Sequence, residues 1–298
     1  MKSSSGLPGA ERIASDASAA RMKVISVIST KGGVGKTTVA ANLGGFLADA
    51  GLHVVLVDLD IQPTLSSYYR LTQQAPGGAY ELLALNEQRA ERVVSYTDVS
   101  RLEVIVSNDP RGQLSPLLLQ APDGRLRLRH LLPIFERDYD VMLIDTQGAR
   151  SVLLEMALLA SSRALSPVIP EILAAAELRR GTVSLIEHVE PMRYWGIEPP
   201  HLDLLVNRTP AVSTTARIVQ STLRDVFRDT PNVSILETTV PALEAYQRAA
   251  VSRAPVHRTE PRKPRHRRSP SALHTMQALS SELFPEWASR FNQLAGTR

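Results

Sequence analysis

The sequence of 298 residues contains no cysteine. A disulfide framework is therefore excluded, and so is a zinc or iron–sulfur site that depends on thiolate ligands. Uninterrupted apolar runs are also short, and none approaches the roughly 18 residues that a membrane-spanning helix needs. Residues 1–22 are rich in serine, alanine and glycine and lack the apolar core of a secretory signal. These absences predict a globular protein of the cytoplasm.

Composition is otherwise ordinary for a globular protein, with 43% hydrophobic and 21% charged residues. Residues 1–22 are predicted to form a disordered N-terminal extension, unless Met22 is the natural start of the chain. The rest, residues 23–298, is interpreted as a single domain. Its last part comprises a basic, proline-rich segment at 255–270 and C-terminal helices at 271–295. No internal repeat is evident.

A glycine-rich stretch near the N-terminus dominates the interpretation. It reads Ser29-Thr30-Lys31-Gly32-Gly33-Val34-Gly35-Lys36-Thr37-Thr38. An apolar strand pattern precedes it and an amphipathic helix pattern follows, which is the context of a phosphate-binding loop. The glycines let backbone N–H groups approach phosphate oxygens, and the helix N-terminus adds a partial positive charge. Lys36 is expected on the β- and γ-phosphates and the Thr37 hydroxyl on Mg²⁺.

The loop departs from the common G-x-x-x-x-G-K-T form, because Thr30 occupies the first glycine position and a second lysine, Lys31, follows it. The sequence KGGVGKTT resembles the deviant Walker A motif of the ParA/MinD family of ATPases, closest to the ParA-like (Soj-like) partition ATPases. The resemblance implies that Lys31 reaches across a nucleotide-sandwich homodimer to the partner's phosphates. It also implies that the loop binds ATP through Gly32, Gly33, Val34, Gly35, Lys36, Thr37 and Thr38.

Carboxylates follow the next predicted strand, residues 53–58, whose near-continuous apolar pattern is typical of a buried parallel strand. The chain continues as Asp58-Leu59-Asp60-Ile61-Gln62-Pro63, close to the family pattern D-x-D-P-Q. The resemblance implies that Asp60 positions or polarises the attacking water and that Asp58 supports the Mg²⁺ shell. The open alternative is that either aspartate caps the next helix.

A second apolar strand, residues 139–145, ends in Asp145 as a Walker B strand does. The resemblance implies that this carboxylate holds Mg²⁺ through water. The family usually continues as D-x-P-P, whereas this chain reads Asp145-Thr146-Gln147-Gly148. The form D-x-x-G resembles the switch segment of GTPases, in which the glycine N–H meets the γ-phosphate. Gln147 either faces the attacking water or is an ordinary surface glutamine.

Two later positions are candidates for contact with the base. Asn207 ends a predicted strand at 201–207. The resemblance implies a contact with the adenine edge, because family members often place an Asn or Thr there; the alternative is a turn residue. Thr239-Val240-Pro241 resembles the family's I-P segment, whose backbone packs beside the base. The resemblance covers about residues 22–256 and is loosest at its C-terminal end.

Strand and helix patterns alternate along the chain, which predicts an α/β fold. The expected architecture is a doubly wound, mainly parallel sheet flanked by helices, the P-loop NTPase fold of the deviant Walker A subclass. Its phosphate chemistry would lie at the carboxyl ends of the strands. Residues 64–101 are expected to be mostly helical with loops, and residues 174–188 to form one long helix.

Net charge is only +4, and the basic bias is local. Between residues 258 and 268, six cations stand against one Glu260: Arg258, Arg262, Lys263, Arg265, Arg267 and Arg268. Such a run indicates a polyanion partner, although a solvated loop can carry the same charge. The resemblance favours non-specific DNA. The alternative DNA surface comprises Arg179, Arg180, Arg217, Arg224 and Arg228.

The resemblance therefore implies a Mg²⁺-dependent partition ATPase with a weak basal rate. It would bind DNA as an ATP-dependent homodimer, respond to a ParB-like adaptor and associate with the nucleoid. One alternative is a MinD-like ATPase that cycles on membranes through Phe284, Trp287, Phe291 and Leu294. The polar face of that helix lacks the usual cations, so docking on the core is expected instead and a membrane partner is not. Another alternative is a regulatory ATPase of a secretion or conjugation system.

Overall fold

The computed structural model describes residues 22–210 and 214–296, so the predicted disordered extension lies almost wholly outside the described residues. Within these ranges, ten strands form one sheet. The strands are β1 Lys23–Val27, β2 Val54–Asp58, β3 Leu71–Gln73, β4 Val94–Thr97, β5 Leu102–Ile105, β6 Val141–Asp145, β7 Arg163–Val168, β8 His201–Thr209, β9 Val233–Ile235 and β10 Val240–Pro241.

The strand order is β10-β8-β7-β1-β6-β2-β5-β4-β3, and β9 pairs with β8. In the described chain, all pairings are parallel except those of β4 with β3 and with β5. Strands β2 and β6 consist of Val, Leu, Ile and Met before a terminal Asp, and every position is buried. Such strands require helices on both faces. The prediction of a doubly wound, mainly parallel α/β sheet is therefore confirmed.

Helices cover the sheet on two sides. They are α1 Lys36–Asp49, α2 Ala79–Ala84, α3 Leu114–Gln120, α4 Arg127–Leu131, α5 Val152–Ala160, α6 Ala174–Leu178, α7 Ser184–Val189, α8 Thr214–Phe227, α9 Glu244–Ser252, α10 Val256–Thr259, α11 Ala272–Leu283 and α12 Ala288–Gly296. Helices α1 and α9 to α12 contribute to one apolar core, and α2 to α8 contribute to the cores beneath the other face. Helix α1 lies close to the sheet, because a Cβ on Gly44 would lie only 2.7 Å from Leu56 Cδ2.

Two sequence-based expectations were wrong in detail. Residues 64–101 are not mostly helical, because β3 and β4 extend the sheet there as antiparallel edge strands. Their short runs, Leu71–Gln73 and Val94–Thr97, give too little alternation for a strand to be recognised. The expected helix at 174–188 is divided by a π-helical turn at Arg179–Val183 between α6 and α7.

The C-terminal helices pack on the core, as expected. Phe284 and Phe291 are buried in the same apolar cluster as Phe46 of α1, and Trp287 and Leu294 pack against it. The apolar face that a membrane anchor would need is therefore used inside the protein. Among the helices described, none combines the length and hydropathy required to cross a bilayer.

Three of the basic residues after position 255 are held by contacts within the fold. Asp49, at the end of α1, accepts hydrogen bonds from His257 Nε2 at 2.8 Å and from Arg258 Nε at 2.7 Å. Burial alone would raise the pKa of Asp49, but the hydrogen bonds from Arg258 and His257 outweigh it and hold that pKa well below its usual value. Arg267 likewise donates to Glu260 Oε2 at 2.9 Å.

Apart from Arg258, whose guanidinium is held by Asp49, the exposed cations of the segment are Arg262, Lys263, Arg265 and Arg268. Glu260 also accepts a hydrogen bond from the backbone N–H of Ala272 at 3.1 Å, at the start of α11. A variant that removes Arg267 together with the exposed cations would take away the ion-pair partner of Glu260 and so disturb the start of α11. Such a variant would confuse loss of fold with loss of a binding surface.

We expect Asp49→Ala to lower the free energy of unfolding by about 2–4 kcal/mol, because it removes an acceptor shared by the buried His257 and by Arg258. Urea denaturation at neutral pH measures this loss. Asp225→Ala is the matched control, since it removes the exposed partner of Arg228 and should change stability by less than about 0.5 kcal/mol. Equal losses of stability in the two variants would show that the contacts of Asp49 with His257 and Arg258 do not stabilise the fold.

The same contact sets a pH dependence. Because the native pKa of Asp49 is depressed, its stabilisation is present above the unfolded value of 3.8 and is lost as the pH falls below it. The stability difference between wild type and Asp49→Ala should therefore narrow in acid.

Candidate functional site

The glycine-rich loop, residues 29–35, connects the carboxyl end of β1 to the first turn of α1. Gly33 and Gly35 have φ angles of +73° and +94°, in the left-handed region that L-residues rarely adopt. Val34 between them is buried, whereas Lys31, Gly32 and Gly33 are exposed. The loop therefore presents exposed backbone at the start of α1, as a phosphate-binding loop requires.

Lys36, at the start of α1, is only 7% exposed. Burial lowers the pKa of its ammonium, whereas the carboxylates of Asp145 and Asp60 raise it. Three predicted site residues from α1, β6 and the segment after β2 are thus close enough to interact electrostatically. Thr37 and Thr38 follow Lys36 in the first turn of the helix.

Asp145 is fully buried at the end of β6, next to Asp58 at the end of β2 in the parallel register. Within the described ranges, neither of its carboxylate oxygens has a hydrogen-bond partner of ordinary geometry. Burial raises its pKa to about 7, and Asp58 and Asp60 contribute to the rise. The Thr37 hydroxyl and Lys36 oppose it. A buried carboxylate without a donor, beside a threonine hydroxyl, fits the oxygen ligands that Mg²⁺ takes beside a phosphate.

Protein groups alone do not form a metal cage here. Among the described residues, no group of three or more His, Asp or Glu side chains is arranged to hold a metal ion. Mg²⁺ in nucleotide sites uses one or two carboxylates together with phosphate oxygens and water, so this finding agrees with Thr37 and Asp145 as the protein's contribution.

Asp58 is also buried, but its oxygens are engaged. It accepts hydrogen bonds from the Ser66 hydroxyl at 2.7 Å, the Ser66 N–H at 2.8 Å and the Asp60 N–H at 3.1 Å. Burial raises its pKa to about 6, and the bonds from Ser66 limit the rise. The structure therefore places Asp58 as an organiser of the following turn, which is not a helix that it could cap, and its assignment to the Mg²⁺ shell stays a prediction.

Asp60 is held mainly through its backbone. Its carbonyl accepts from the Ser107 hydroxyl at 2.6 Å, and its Oδ1 accepts from the Gln62 N–H at 3.1 Å. The Asp60 side chain is partly exposed, and it lies close enough to Lys36 to raise the pKa of that lysine. Its role in orienting a water stays a prediction.

Lys31 forms two ion pairs within its own chain. Its Nζ lies 2.7 Å from Glu171 Oε2 and 3.0 Å from Glu177 Oε2. These hydrogen bonds, that to Glu171 first, raise the pKa of the ammonium. Both carboxylates come from the segment between β7 and the π-helical turn, and the lysine is exposed. Sequence reasoning missed these partners, because ion pairs 140 and 146 residues apart leave no local pattern.

The switch segment after Asp145 packs directly on the loop. The Thr146 hydroxyl donates to the Val27 carbonyl at 3.1 Å. A Cβ on Gly148 would lie 2.9 Å from Gly32 Cα and 3.1 Å from its nitrogen. Glycine therefore allows a backbone-to-backbone approach at this position, which explains a D-x-x-G sequence without the family's prolines. Gln147 is partly exposed.

We expect Gly148→Ala to weaken ATP binding by roughly tenfold, because the added methyl forces the switch segment away from the loop at a cost typical of overpacking. Titration with a fluorescent ATP analogue measures the change. Gly296→Ala is the control, since a Cβ there meets no atom within 4 Å. Equal ATP affinities for the two variants would show that the switch segment can move away from the glycine-rich loop without weakening nucleotide binding.

A cavity of about 580 Å³ lies at the end of the glycine-rich loop, beside Gly35 and Thr38. Pro241 and Asn207, the two predicted base contacts, both line it. The Asn207 amide, however, donates to the Val34 carbonyl at 2.7 Å, and a Cβ on Gly35 would lie 2.6 Å from its nitrogen. Asn207 therefore supports the loop, and its contact with adenine stays a prediction.

Arg208 also lines this cavity and was missed from the sequence. Its backbone has a φ of +55°, and its N–H donates to Asn207 Oδ1 at 2.9 Å. The signal that could have identified it is an arginine directly after a polar residue at a strand end. A second cavity, of about 520 Å³, lies beside Thr30, Lys31 and Glu177. There Gly181 of the π-helical turn packs on Thr30, and a Cβ would lie 2.1 Å from its hydroxyl oxygen.

A parallel sheet, a glycine-rich loop at the start of α1 and two strand-end aspartates together define a P-loop nucleotide-binding protein. A family model described as an AAA domain matches residues 22–193, more than half of the chain. Soj of Bacillus subtilis is 30% identical over 168 residues, and the chromosome partitioning protein ParA of Myxococcus xanthus is 31% identical over 147. The chain belongs to the ParA/MinD-like family of P-loop ATPases.

These matches cover 55% and 49% of the chain and 66% and 52% of the two relatives, between half and two-thirds of their length. Solved structures extend the likeness in fold. An McdA variant from Cyanothece in complex with ATP superposes with a TM-score of 0.68 at 19% identity, covering 93% of this chain and 96% of that one. Cobyrinic acid a,c-diamide synthase from Mycobacterium smegmatis, with bound ADP and magnesium, gives 0.63 at 26% identity, covering 78% and 91%.

Proposed function

We propose that this chain is a partition-type ATPase that binds ATP with Mg²⁺. Two copies of the chain would form a dimer with two nucleotides between them. In this proposal the pair binds DNA without sequence preference and releases it after hydrolysis. The observation that carries the proposal is Lys31, an exposed second lysine at the opening of a complete phosphate loop. A lysine at that position cannot be explained by the phosphates of its own loop, which Lys36 already serves.

The nucleotide would lie along the loop, with its phosphates over the backbone of residues 32–38 and its base in the cavity beside Pro241. Lys36 neutralises charge on the β- and γ-phosphates, and Thr37 and Asp145 hold Mg²⁺. When bound, Mg²⁺ supplies charge neutralisation and orientation of the phosphates. Because the pKa of Asp145 is raised by burial, a cation there would keep its carboxylate ionised near neutral pH.

Hydrolysis needs a water in line with the γ-phosphate, and Asp60 is the group proposed to orient it. Its carbonyl accepts from the Ser107 hydroxyl, and its carboxylate accepts from the Gln62 N–H, so both backbone and side chain are held. This rigidity matters because a misplaced water-orienting group loses most of its effect. Gln147 on the switch segment is a second polar side chain at this edge of the site.

Pairing requires Lys31 to leave Glu171 and Glu177. In the single chain these carboxylates hold the ammonium away from any partner. A triphosphate on the partner subunit offers a denser negative charge than two exposed carboxylates, so exchange is favoured when both subunits carry ATP. We propose that a ParB-like adaptor accelerates hydrolysis in the paired state and that the protein associates with the nucleoid in the cytoplasm.

A membrane-cycling function has less support. It would need the apolar face of the terminal helix, and Phe284 and Phe291 of that face are buried against α1. Undocking them would expose the core around Phe46, at a cost of about 1.5–3 kcal/mol for each side chain.

The pairing test is a sizing experiment with ATP, ADP and a slowly hydrolysed ATP analogue. Wild type should elute as a dimer with the analogue and as a monomer with ADP. Lys31→Ala should remain a monomer that still binds ATP, because its own loop keeps Lys36. Lys23→Ala is the matched control, since Lys23 is the first residue of β1, has a half-exposed side chain and pairs with Glu286. Dimers of Lys31→Ala equal to those of wild type would remove the proposed role of Lys31.

A further inference from the structure

A cavity of about 250 Å³ lies between α8 and the basic segment, outside the nucleotide site. Two arginines line it: Arg217 from the first turn of α8 and Arg268 from the segment before α11. The other lining residues are neutral, namely Thr209, Pro210, Ala216, Gln220, Thr239, Pro241, Ser269 and Pro270. A surface cavity with two cations from separate parts of the chain and no lining acid is suited to an anion.

Arg268 is positioned by its neighbours. Arg267, beside it, pairs with Glu260 and also donates to the Pro270 carbonyl at 3.1 Å. The Arg267 N–H donates in turn to the Pro264 carbonyl at 3.1 Å. The backbone on both sides of Arg268 is therefore fixed, which reduces the entropy cost of holding a ligand there.

Neither arginine forms an ion pair with any described residue. Both are exposed. The nearby Glu237 pairs instead with Arg224 at 2.6 Å. An incoming anion would thus meet two guanidinium groups without displacing an internal carboxylate.

The other arginines of the alternative DNA surface form contacts within the chain; Arg180, for example, donates to the Ala176 carbonyl at 3.4 Å. Arg179 donates to the Val226 carbonyl at 3.2 Å and lies over the Phe227 ring at 5.2 Å. Arg228 pairs with Asp225 at 2.5 Å. Arg217, from the same alternative DNA surface, instead lines a cavity together with Arg268 of the basic segment.

We infer that Arg217 and Arg268 together clamp one backbone phosphate of duplex DNA. Guanidinium groups bind phosphate oxygens through paired N–H donors, and two of them can share one phosphate from opposite sides. The inference rests on the DNA-binding part of the proposed function and assigns it to specific residues. The exposed Arg262, Lys263 and Arg265 lie on the same segment and would extend the contact along the backbone.

The position of the cavity also connects it to the nucleotide. Pro241 lines both this cavity and the proposed base cavity. It belongs to β10, which is paired with β8 through Thr209, another residue of the anion cavity. A base seated against Pro241 would therefore stabilise the strand that forms one wall of the phosphate clamp, so DNA affinity should depend on bound ATP.

Fluorescence anisotropy with a labelled duplex of random sequence, Mg²⁺ and a slowly hydrolysed ATP analogue tests the inference. Titrations at salt concentrations from about 50 to 200 mM give the log–log slope of affinity against salt. Arg217→Ala and Arg268→Ala should each weaken binding about 3- to 10-fold and reduce the slope by about 0.9 per protomer. Arg217→Lys should retain most of the slope, because it keeps the charge.

The double variant distinguishes one shared phosphate from two. A shared phosphate predicts that its slope falls by about 0.9, no more than in the single variants, because contacts to one group are not additive. A slope reduced by about 1.8, with additive losses of affinity, would overturn the clamp. Arg228→Ala, which removes an exposed arginine directly after the end of α8, is the matched control and should bind as wild type.

The outcomes separate the inference from the proposed function. If wild type binds the duplex and both single variants match it, the clamp is wrong and the proposed function stands. If wild type binds ATP but no duplex, the DNA-binding part of the proposed function is wrong together with the clamp. Binding to vesicles of anionic lipid that exceeds duplex binding, and that the same variants abolish, would overturn the assignment to DNA.

Discussion

Replacing Lys36 with alanine is expected to remove most of the affinity for ATP. Lys36 is 7% exposed, and its ammonium lies among Asp145, Asp60 and the loop backbone. Removing it would leave the γ-phosphate of a bound nucleotide facing two carboxylates with no cation from the loop. Truncating one partner of a desolvated charge pair typically costs 2–5 kcal/mol, so we expect affinity to fall by about 30- to 5,000-fold.

Equilibrium titration with a fluorescent ATP analogue and Mg²⁺ measures this loss. Lys31→Ala is the matched control, because it removes the other lysine of the same loop and should leave monomer affinity within about threefold of wild type. A melting curve without nucleotide verifies that Lys36→Ala is folded. Unchanged affinity in a folded Lys36→Ala variant would mean that the phosphates bind elsewhere.

The second large effect is expected on turnover and not on binding. Asp60→Ala should keep ATP affinity nearly intact and slow hydrolysis by about 10²-fold or more, the scale of a lost base or water-orienting group. The backbone carbonyl of residue 60, which accepts from Ser107, is unchanged by this substitution. The Gln62 N–H loses its acceptor on the carboxylate, but the hydrogen bond from Ser107 should keep the turn close to its native shape.

Single-turnover hydrolysis and sizing with ATP together test this expectation. Because hydrolysis would be slow, the dimer should persist with ATP itself and not only with an analogue. Asp109→Ala is an unsuitable control, since its buried carboxylate caps the turn at Gln113 and Leu114. Glu91→Ala, an exposed acid in a short 3₁₀ turn, serves instead. Turnover of Asp60→Ala equal to that of this control would exclude a catalytic role.

The P-loop could be predicted from sequence because its signal is local. Strand, loop and helix follow one another within residues 23–49, and the backbone demands on Gly33 and Gly35 fall on glycines. The strand-end position of Asp145 was predictable for the same reason, since it follows directly on four buried apolar residues. The parallel sheet then followed from alternation of strand and helix patterns.

Contacts between distant segments were not predictable. The sequence around Lys31 does not indicate its ion pairs with Glu171 and Glu177. The sequence around Asn207 likewise does not indicate that its amide donates to the Val34 carbonyl. The same applies to the cations after residue 255, where a run of charge looked uniform. In the structure Arg267 is tied to Glu260, whereas Arg268 beside it is exposed. Tertiary pairing decides which cation of a run is available, and the sequence pattern does not contain it.

The π-helical turn at Arg179–Val183 shifts the phase of the helix that contains it. Buried apolar side chains recur at 174 and 178, then after five residues at 183, then at 186 and 189. The step of five equals one residue more than a regular turn allows, and it rotates the second half of the helix by about 100°. Both halves can then face the core while Gly181 reaches Thr30 of the loop. Shortening the turn by one residue would restore a regular helix and keep the core, but it would break the contact with the loop.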